Sequence, residues 1–317
     1  MTVQAGGTFI GLGQGFGRKW WSFGALWRVM WYNKASLFQE VYDMICKNCF
    51  PGGLHKAVTF SFDDGIRQDL RLMEVFRRYG IKATFNLNSG LSGREHDWEY
   101  RGIHVSRLSP EEIRESYGGF EIAVHTVHHP DLTKLSREGV VREVFDDREA
   151  LEGIAGYPVR GMAYPYGTYN EDLSNVLRSL GICYSRTVKS THAYGLPDDF
   201  LAWHPTCHYM EKEVPELVDD FLSLDSDRLS LFYLWGHSYE LDGNNNWELI
   251  ETFCRKFGAA EDVWRASNME IYLYLQALDR LVVSCDQKIL FNPSALDLWV
   301  TADGETVKVE SGKTVRL

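Results

Sequence analysis

The chain has 317 residues, of which 44% are hydrophobic and 24% charged, a composition typical of a globular protein. No run of about 18 apolar residues occurs, which argues against a membrane-spanning helix. The formal net charge is -11, and without a face rich in Lys and Arg a nucleic-acid partner is not expected. A neutral or cationic substrate suits this surface better, and the oligomeric state is left open.

The cysteine pattern favours free thiols. The six cysteines are scattered, at Cys46, Cys49, Cys183, Cys207, Cys254 and Cys285. This spacing is unlike the dense framework of a small secreted disulfide protein. Cys46 and Cys49 form one CxxC pair, and without a second pair a zinc or redox role is not favoured. We therefore expect a cytoplasmic protein.

Residues 1–43 differ in composition from the rest, with glycines at 6–17 and aromatic side chains at 20–32. We interpret them as a disordered or non-native N-terminal extension, with Met44 as the natural start. The alternatives are a membrane-surface segment or an export segment, although no small-residue cleavage site follows. Export would place the protein outside the cell or at its surface.

From Ala57 onward, apolar β-favouring runs alternate with stretches of helical spacing. The predicted strands cover residues 57–62, 82–87, 120–124, 159–163, 182–185 and 229–234. The predicted helices cover residues 66–79, 136–154, 171–180, 214–224, 247–257 and 269–281, with another that begins at Ser109. Such alternation indicates parallel strands joined by helices.

Polar residues follow strand after strand, as they do at the rim of a βα barrel. We therefore predict an α/β fold, a distorted (β/α)7-type barrel over residues 44–285. The tail alternates apolar and polar residues and contains two turn signals, so residues 286–317 are predicted to form a small C-terminal β appendage.

Asp63 and Asp64 lie at the end of an apolar strand, just before Gly65. Successive side chains point to different sides, so one can bind a metal while its neighbour faces a substrate water. A pair of aspartates also caps helices well, and taken alone that second interpretation would be preferred.

The segment from His125 to Pro130 changes this balance. His125 and His129 are four residues apart, so both imidazoles can reach one cation. Two His and one carboxylate leave coordination positions open, as a catalytic metal requires. His128 is expected to point elsewhere. His204 and His208 have the same spacing, but the proline between them favours core or groove-lining roles.

These two segments, Ser61 to Gly65 and His125 to Pro130, resemble the first two motifs of the polysaccharide deacetylases, carbohydrate esterase family 4 with its NodB-type domain. The resemblance covers roughly residues 55–240. It implies that Asp63 is the catalytic base and that Asp64, His125 and His129 bind a divalent metal. Zinc is expected, and the same ligands would accept Co²⁺, Ni²⁺ or Mn²⁺.

The segment from Ala163 to Gly167 resembles the third motif of the family. The resemblance implies that Pro165 shapes the substrate groove and that the Tyr166 amide binds the oxyanion. The family's arginine is replaced here by Ala163, so the ion pair to the catalytic aspartate must come from elsewhere. Arg186 and Arg160 are the candidates, and we also place Arg186 among the substrate-binding residues.

The segment from Leu234 to His237 resembles the last motif. It implies that His237 is the general acid and that Trp235 forms a substrate-binding pocket wall, where the family more often has Leu. The acidic and aromatic cluster that orients this histidine in the family is only faintly present, in residues 198–203.

The sequence therefore predicts a metal-dependent hydrolase that removes acetyl groups from N- or O-acetylated carbohydrate. Related barrels also hydrolyse cyclic amides and other C–N bonds, so a small amide substrate is an alternative. A catalytically silent carbohydrate-binding protein is a second alternative, favoured by the missing arginine. A purely structural interpretation of the same residues predicts that no metal is bound.

Overall fold

The computed structural model describes residues 45–317, which form one compact unit. The expected N-terminal extension, residues 1–43, and the proposed start at Met44 lie outside the described residues. Within the described part of the chain, none of the helices has both the length and the apolar character needed to cross a membrane.

The strands are numbered in chain order. They are β1 (Ile45–Cys46), β2 (Lys56–Asp63), β3 (Ala83–Leu87), β4 (Trp98–Tyr100), β5 (Ile103–Val105), β6 (Glu121–Val124), β7 (Gly161–Ala163), β8 (Tyr184–Arg186), β9 (Cys207–His208), β10 (Ser230–Gly236), β11 (Val263–Arg265), β12 (Val282–Val283), β13 (Ile289–Phe291), β14 (Leu298–Ala302), β15 (Glu305–Val309) and β16 (Thr314–Arg316).

The α-helices are numbered in the same way. They are α1 (Asp69–Tyr79), α2 (Pro110–Ser116), α3 (Arg137–Ala155), α4 (Glu171–Ser179), α5 (Val214–Ser223), α6 (Ser238–Gly243), α7 (Trp247–Ala259) and α8 (Asn268–Asp279). The helix predicted from Ile66 begins at Asp69. Its start is delayed because Ile66 pairs with Arg107 in an isolated β-bridge and donates its amide to the Asp69 carboxylate, 3.1 Å away.

The main sheet is a curled half-barrel of parallel strands, in agreement with the predicted α/β barrel class. Its strand order is β8-β7-β6-β3-β2-β10-β9, with β11 pairing beside β2. Among residues 45–317, no pairing closes the sheet between β8 and β9. Residues 187–206 cross this gap, and Arg186 and Trp203 form a single parallel bridge there.

The two faces of the sheet carry different side chains because successive strand residues point to opposite sides. On β2, Phe60 and Phe62 belong to the apolar core that includes Phe76 of α1. Ser61 and Asp63 alternate with them and therefore belong to the concave face. Polar side chains on a buried strand thus line up towards the carboxyl end of the half-barrel.

Helix α8 packs against the concave side of the sheet, and its N-terminus joins a buried polar network. Asn268 accepts a hydrogen bond from Thr59 at 2.8 Å and donates one to the Tyr233 hydroxyl at 2.6 Å. Glu121 accepts from the Tyr184 hydroxyl at 2.6 Å and from the Met269 amide at 2.8 Å. These bonds satisfy polar groups that burial would otherwise penalise.

The C-terminal residues form strands, as predicted for the tail. β14 and β15 pair with each other in antiparallel fashion, and β1 joins the edge of β14. The strands β12, β13 and β16 form a second small antiparallel sheet. The first described strand therefore lies in a sheet with strands from the end of the chain.

Candidate active site

Asp63 ends strand β2 and is 2% exposed. Its Oδ1 accepts a hydrogen bond from Asn86 at 2.8 Å, and its Oδ2 accepts one from Arg186. Burial raises the pKa of this carboxyl, but the charges of Arg186, His125 and His237 outweigh that effect and lower the pKa to about 2. Asp63 is therefore ionised at neutral pH.

Arg186 ends strand β8 and is fully buried. Its guanidinium pairs with Asp63 and lies over the Trp235 ring, 4.3 Å from the ring centroid. Arg160, the other candidate, is exposed and donates to a backbone carbonyl. Arg186, on the neighbouring strand, thus makes the ion pair that Ala163 cannot make. Because Arg186 is completely buried, it has no surface for the predicted direct contact with a substrate.

Asp64, His125 and His129 converge on one point beside this pair. One ligand atom from each lies within 4.8 Å of the other two. The Nε2 atoms of His125 and His129 are 3.1 Å apart, close to the separation of two ligands around a tetrahedral zinc with bonds of about 2.0–2.1 Å. The three side chains therefore have the types and spacing of a metal site.

The tautomer of His125 fits metal binding. Its Nδ1 is 2.9 Å from the Ala163 carbonyl and donates to it, which leaves the lone pair of Nε2 directed at His129. Burial lowers the pKa of His125 to about 4 and also lowers the pKa of His129, so both rings are neutral at pH 7. A cation bound by both Nε2 atoms would replace the contact that these atoms make with each other.

Backbone strain is concentrated at this point. Four non-glycine residues around the site have φ between 55° and 83°, namely Asp64, Thr126, His129 and Tyr166. Each such conformation costs on the order of 1–3 kcal/mol. The positive φ of Asp64 and His129 turns their side chains away from the direction that regular backbone would give them. Such strained conformations cluster at functional sites.

His237 follows strand β10 on the other side of Asp63. Its Nε2 lies 3.9 Å from the Asp63 Oδ2, and its Nδ1 lies 3.5 Å from the Glu240 Oε1. Burial lowers the pKa of His237, but Glu240, Asp64 and Asp63 together raise it to about 9. The pKa of Glu240 is lowered to about 2, against burial, by His208 and His237. His237 is therefore an imidazolium at neutral pH.

The segment of the third motif forms a short 3₁₀ turn, Pro165–Gly167, at the mouth of the site. Pro165 is buried, whereas Tyr166 is 63% exposed and its ring meets the His129 ring edge-on with centroids 4.7 Å apart. Trp235 is 9% exposed. Tyr166 thus contacts His129, and Trp235 contacts Arg186, while the substrate roles of Pro165, Tyr166 and Trp235 stay predictions.

Arg107 and Asn86 also belong to the site and were missed by the sequence interpretation. Arg107 Nη2 is 3.4 Å from the Asp64 Oδ1, and its guanidinium lies 4.8 Å from the centre of the Trp98 ring. Trp98 belongs to the β4–β5 hairpin. Asn86 could have been found, because β3 pairs in register with β2 and places it beside Asp63.

The remaining polar residues singled out in the sequence lie elsewhere or have other partners. His128 is exposed and pairs with Glu143 at 2.8 Å. Asp199, in the faint acidic cluster, accepts from the Leu201 amide and is 3.5 Å from Arg178. Glu240, which no motif indicated, is the carboxylate beside His237.

The sequence model of the family "Polysaccharide deacetylase" matches residues 52–185, which include Asp63, Asp64, His125 and His129. Over these residues the chain is similar to the polysaccharide deacetylases. Arg186 follows the matched segment directly, and His237 and Glu240 lie beyond it.

Curated relatives align over similar stretches. A peptidoglycan-N-acetylglucosamine deacetylase of Bacillus cereus is 30% identical over 132 residues, which are 41% of this chain and 42% of the relative. A chitin deacetylase of Pestalotiopsis sp. is 31% identical over 122 residues, 38% of each chain. The chain thus spans less than half the length of these polysaccharide deacetylase relatives.

Among solved structures, a protein from Mycobacterium smegmatis assigned as a polysaccharide deacetylase superposes with a TM-score of 0.53 and 20% sequence identity. The match covers 73% of this chain and 93% of that protein. It supports the half-barrel fold of polysaccharide deacetylases over a longer stretch than the sequence model alone.

Proposed function

We propose that this protein is a metal-dependent hydrolase that removes acetyl groups from N- or O-acetylated carbohydrate. The observation that carries the proposal is the pair Asp63 and His237, whose pKa values are moved in opposite directions beside one cluster of metal-ligand side chains. Two titratable groups whose environments separate their pKa values in this way are suited to act as base and acid.

Asp64, His125 and His129 would hold the metal. A bound divalent ion, with zinc as the expected one, supplies Lewis acidity towards the acyl carbonyl and lowers the pKa of water. The same two imidazoles and carboxylate would also accept Co²⁺, Ni²⁺ or Mn²⁺.

Asp63 would accept the proton of the attacking water. Its Oδ2 lies 3.9 Å from the His125 Nε2 and 3.9 Å from the His237 Nε2, so it stands between the metal ligands and the acid. Arg186 and Asn86 hold the carboxylate in one orientation through both of its oxygens. A base fixed in this way needs no rearrangement before it acts.

His237 would donate a proton to the leaving nitrogen or oxygen. It is charged at neutral pH, and its Nε2 faces the same carboxylate oxygen of Asp63 that serves as base. The Tyr166 amide, on the strained turn beside His129, would donate a hydrogen bond to the developing oxyanion. Pro165 and Trp235 would line the groove that receives the acetylated sugar.

The substrate class follows from the relatives. The two aligned proteins are named for deacetylation of peptidoglycan N-acetylglucosamine and of chitin. We extend this to an acetylated amino sugar as the first substrate to test here. A cyclic amide remains the substrate to test next.

The test is acetate release by the full chain from acetylated chitooligosaccharides, peptidoglycan and O-acetylated xylan, with and without a chelator. We expect chelator-sensitive release on at least one of these substrates. The Asp63→Asn variant should lose at least about 100-fold in rate, since general base catalysis contributes 10²–10⁴-fold, while its metal content stays at the wild-type level.

Glu251→Gln is the matched control, because Glu251 is bound by Arg78 and Tyr79 and not by site residues. It should keep the wild-type rate. Near-normal acetate release by Asp63→Asn would remove Asp63 from the role of base, and carbohydrate binding without hydrolysis by the wild type would favour a silent binding protein.

A further inference from the structure

The Glu240 carboxylate makes two contacts with histidines and one with the backbone. Its Oε2 is 3.2 Å from the His208 Nε2 and accepts the His237 amide at 3.3 Å, while its Oε1 is 3.5 Å from the His237 Nδ1. Its side chain is 14% exposed. One half-buried carboxylate thus joins strand β9, the end of β10 and helix α6.

The tautomer of His208 is fixed by its own surroundings. The Met210 amide donates to the His208 Nδ1 at 3.3 Å, so Nδ1 is the acceptor nitrogen and Nε2 carries the hydrogen. His208 therefore donates to Glu240 through Nε2. This arrangement favours a hydrogen-bond donor over a metal ligand at His208, because a metal would need the lone pair of Nε2.

The position of Glu240 also fixes His237. The His237 Nδ1 is shielded from solvent and forms no short hydrogen bond within residues 45–317, and the carboxylate beside it favours a hydrogen on Nδ1. Nε2 then faces Asp63. When Nδ1 carries a hydrogen, Nε2 can donate a proton only if Nε2 is protonated as well, which is the imidazolium form. Glu240 therefore stabilises the charged state of His237.

We propose that Glu240, held in place by His208, is the positioning residue that keeps the His237 imidazole oriented with Nδ1 towards Glu240 and Nε2 towards Asp63. This inference rests on the role of His237 as proton donor in the proposed function. The carboxylate that orients His237 then belongs to the first turn of helix α6, three residues after the histidine, and not to the faint acidic cluster of residues 198–203.

Several charged groups face His237 besides Glu240. Asp63 and Asp64 at the end of β2 favour the imidazolium, and His129, which is neutral at pH 7, adds no opposing charge. The Tyr239 ring is tilted against the His237 ring with centroids 5.2 Å apart, and it is neutral because burial raises its pKa above the usual value. Removing the charge of Glu240 leaves the two aspartates, so the expected effect is a partial loss of the imidazolium.

The pKa of His237 is raised to about 9, so the proton donor is present at neutral pH and is lost as the pH rises through that value. In Glu240→Gln, loss of an adjacent opposite charge should lower the His237 pKa by about 1 or more. The alkaline limb of kcat/KM should move to lower pH, with KM little changed.

The experiment combines two readouts on the ¹⁵N-labelled full chain. Imidazole nitrogen shifts give the pKa of His237, assigned by the resonances lost in His237→Gln, and the rate of acetate release gives the pH profile. His208→Ala should lower the His237 pKa in the same direction by a smaller amount, and Glu251→Gln should leave it unchanged.

The outcomes separate this inference from the proposed function. If the His237 pKa falls in Glu240→Gln while the wild type releases no acetate, the inference stands and the proposed activity fails. If the wild type releases acetate and Glu240→Gln moves neither the His237 pKa nor the alkaline limb, Glu240 is not the positioning residue.

Discussion

At the scale of single residues, the ion pair between Arg186 and Asp63 is the contact that keeps a buried carboxylate charged. Both side chains are at least 97% buried, and Arg186 also lies over the Trp235 ring. Removing one partner of a buried pair leaves an uncompensated charge, which costs about 3–5 kcal/mol. Arg186 is thus important for stability as well as for the orientation of the base.

We predict that Arg186→Met lowers the free energy of unfolding by about 3–5 kcal/mol and raises the pKa of Asp63. Urea denaturation measures the first effect. Arg160→Met is the control, because Arg160 is exposed and its guanidinium meets only a backbone carbonyl. Equal decreases in the free energy of unfolding for the two variants would mean that the ion pair with Asp63 does not stabilise the protein.

The residues that the sequence could indicate are those at strand ends. Arg186 was a candidate because it follows a predicted strand, and residues in that position face the mouth of a barrel. Glu240 was not indicated, since it lies in a six-residue helix with too few turns to show a period. The role of Glu240 depends on its contact with His208, which is distant in sequence and is brought near by the pairing of β9 with β10.

At the scale of secondary-structure elements, the alternation of strands and helices could be predicted because each strand is a short apolar run. The β4–β5 hairpin was not predicted. Its turn is Arg101-Gly102, both residues with positive φ, and arginine is not a residue that usually marks such a turn. Helix α8 was predicted, but its place on the concave face depends on contacts such as Asn268 with Thr59.

The approach of β7 to β8 depends on a glycine. A Cβ on Gly161 would lie 2.1 Å from the Tyr184 hydroxyl oxygen, and Tyr184 cannot retreat because it is fully buried and donates to Glu121. These two strands carry Ala163 and Arg186 at the site. Close packing here therefore supports the position of the arginine.

We predict that Gly161→Ala destabilises the protein by about 1–3 kcal/mol, the usual cost of overpacking. The control is Gly153→Ala in helix α3, where a Cβ would meet no atom within 4 Å. That change should be neutral or stabilise by up to about 1 kcal/mol, because alanine favours a helix. Thermal unfolding of both variants measures the difference, and equal melting temperatures would show that β7 and β8 can separate without cost.

At the scale of the whole molecule, a half-barrel brings residues from distant parts of the chain to one edge. Asp63, His125, Arg186 and His237 are spread over about 175 positions of sequence, yet parallel strands carry all their carboxyl ends to the same side. The sequence predicted this convergence from the barrel class. It could not predict the gap between β8 and β9, which depends on the short length of β9.

The central claim is that Asp64, His125 and His129 bind one divalent metal. The most direct measurement is elemental analysis of the purified full chain alongside Asp64→Asn and the control Glu251→Gln. We predict about one metal ion per chain in the wild type and the control, and a large loss of metal in Asp64→Asn. Wild-type protein without metal, or metal retained in full by Asp64→Asn, would contradict the account.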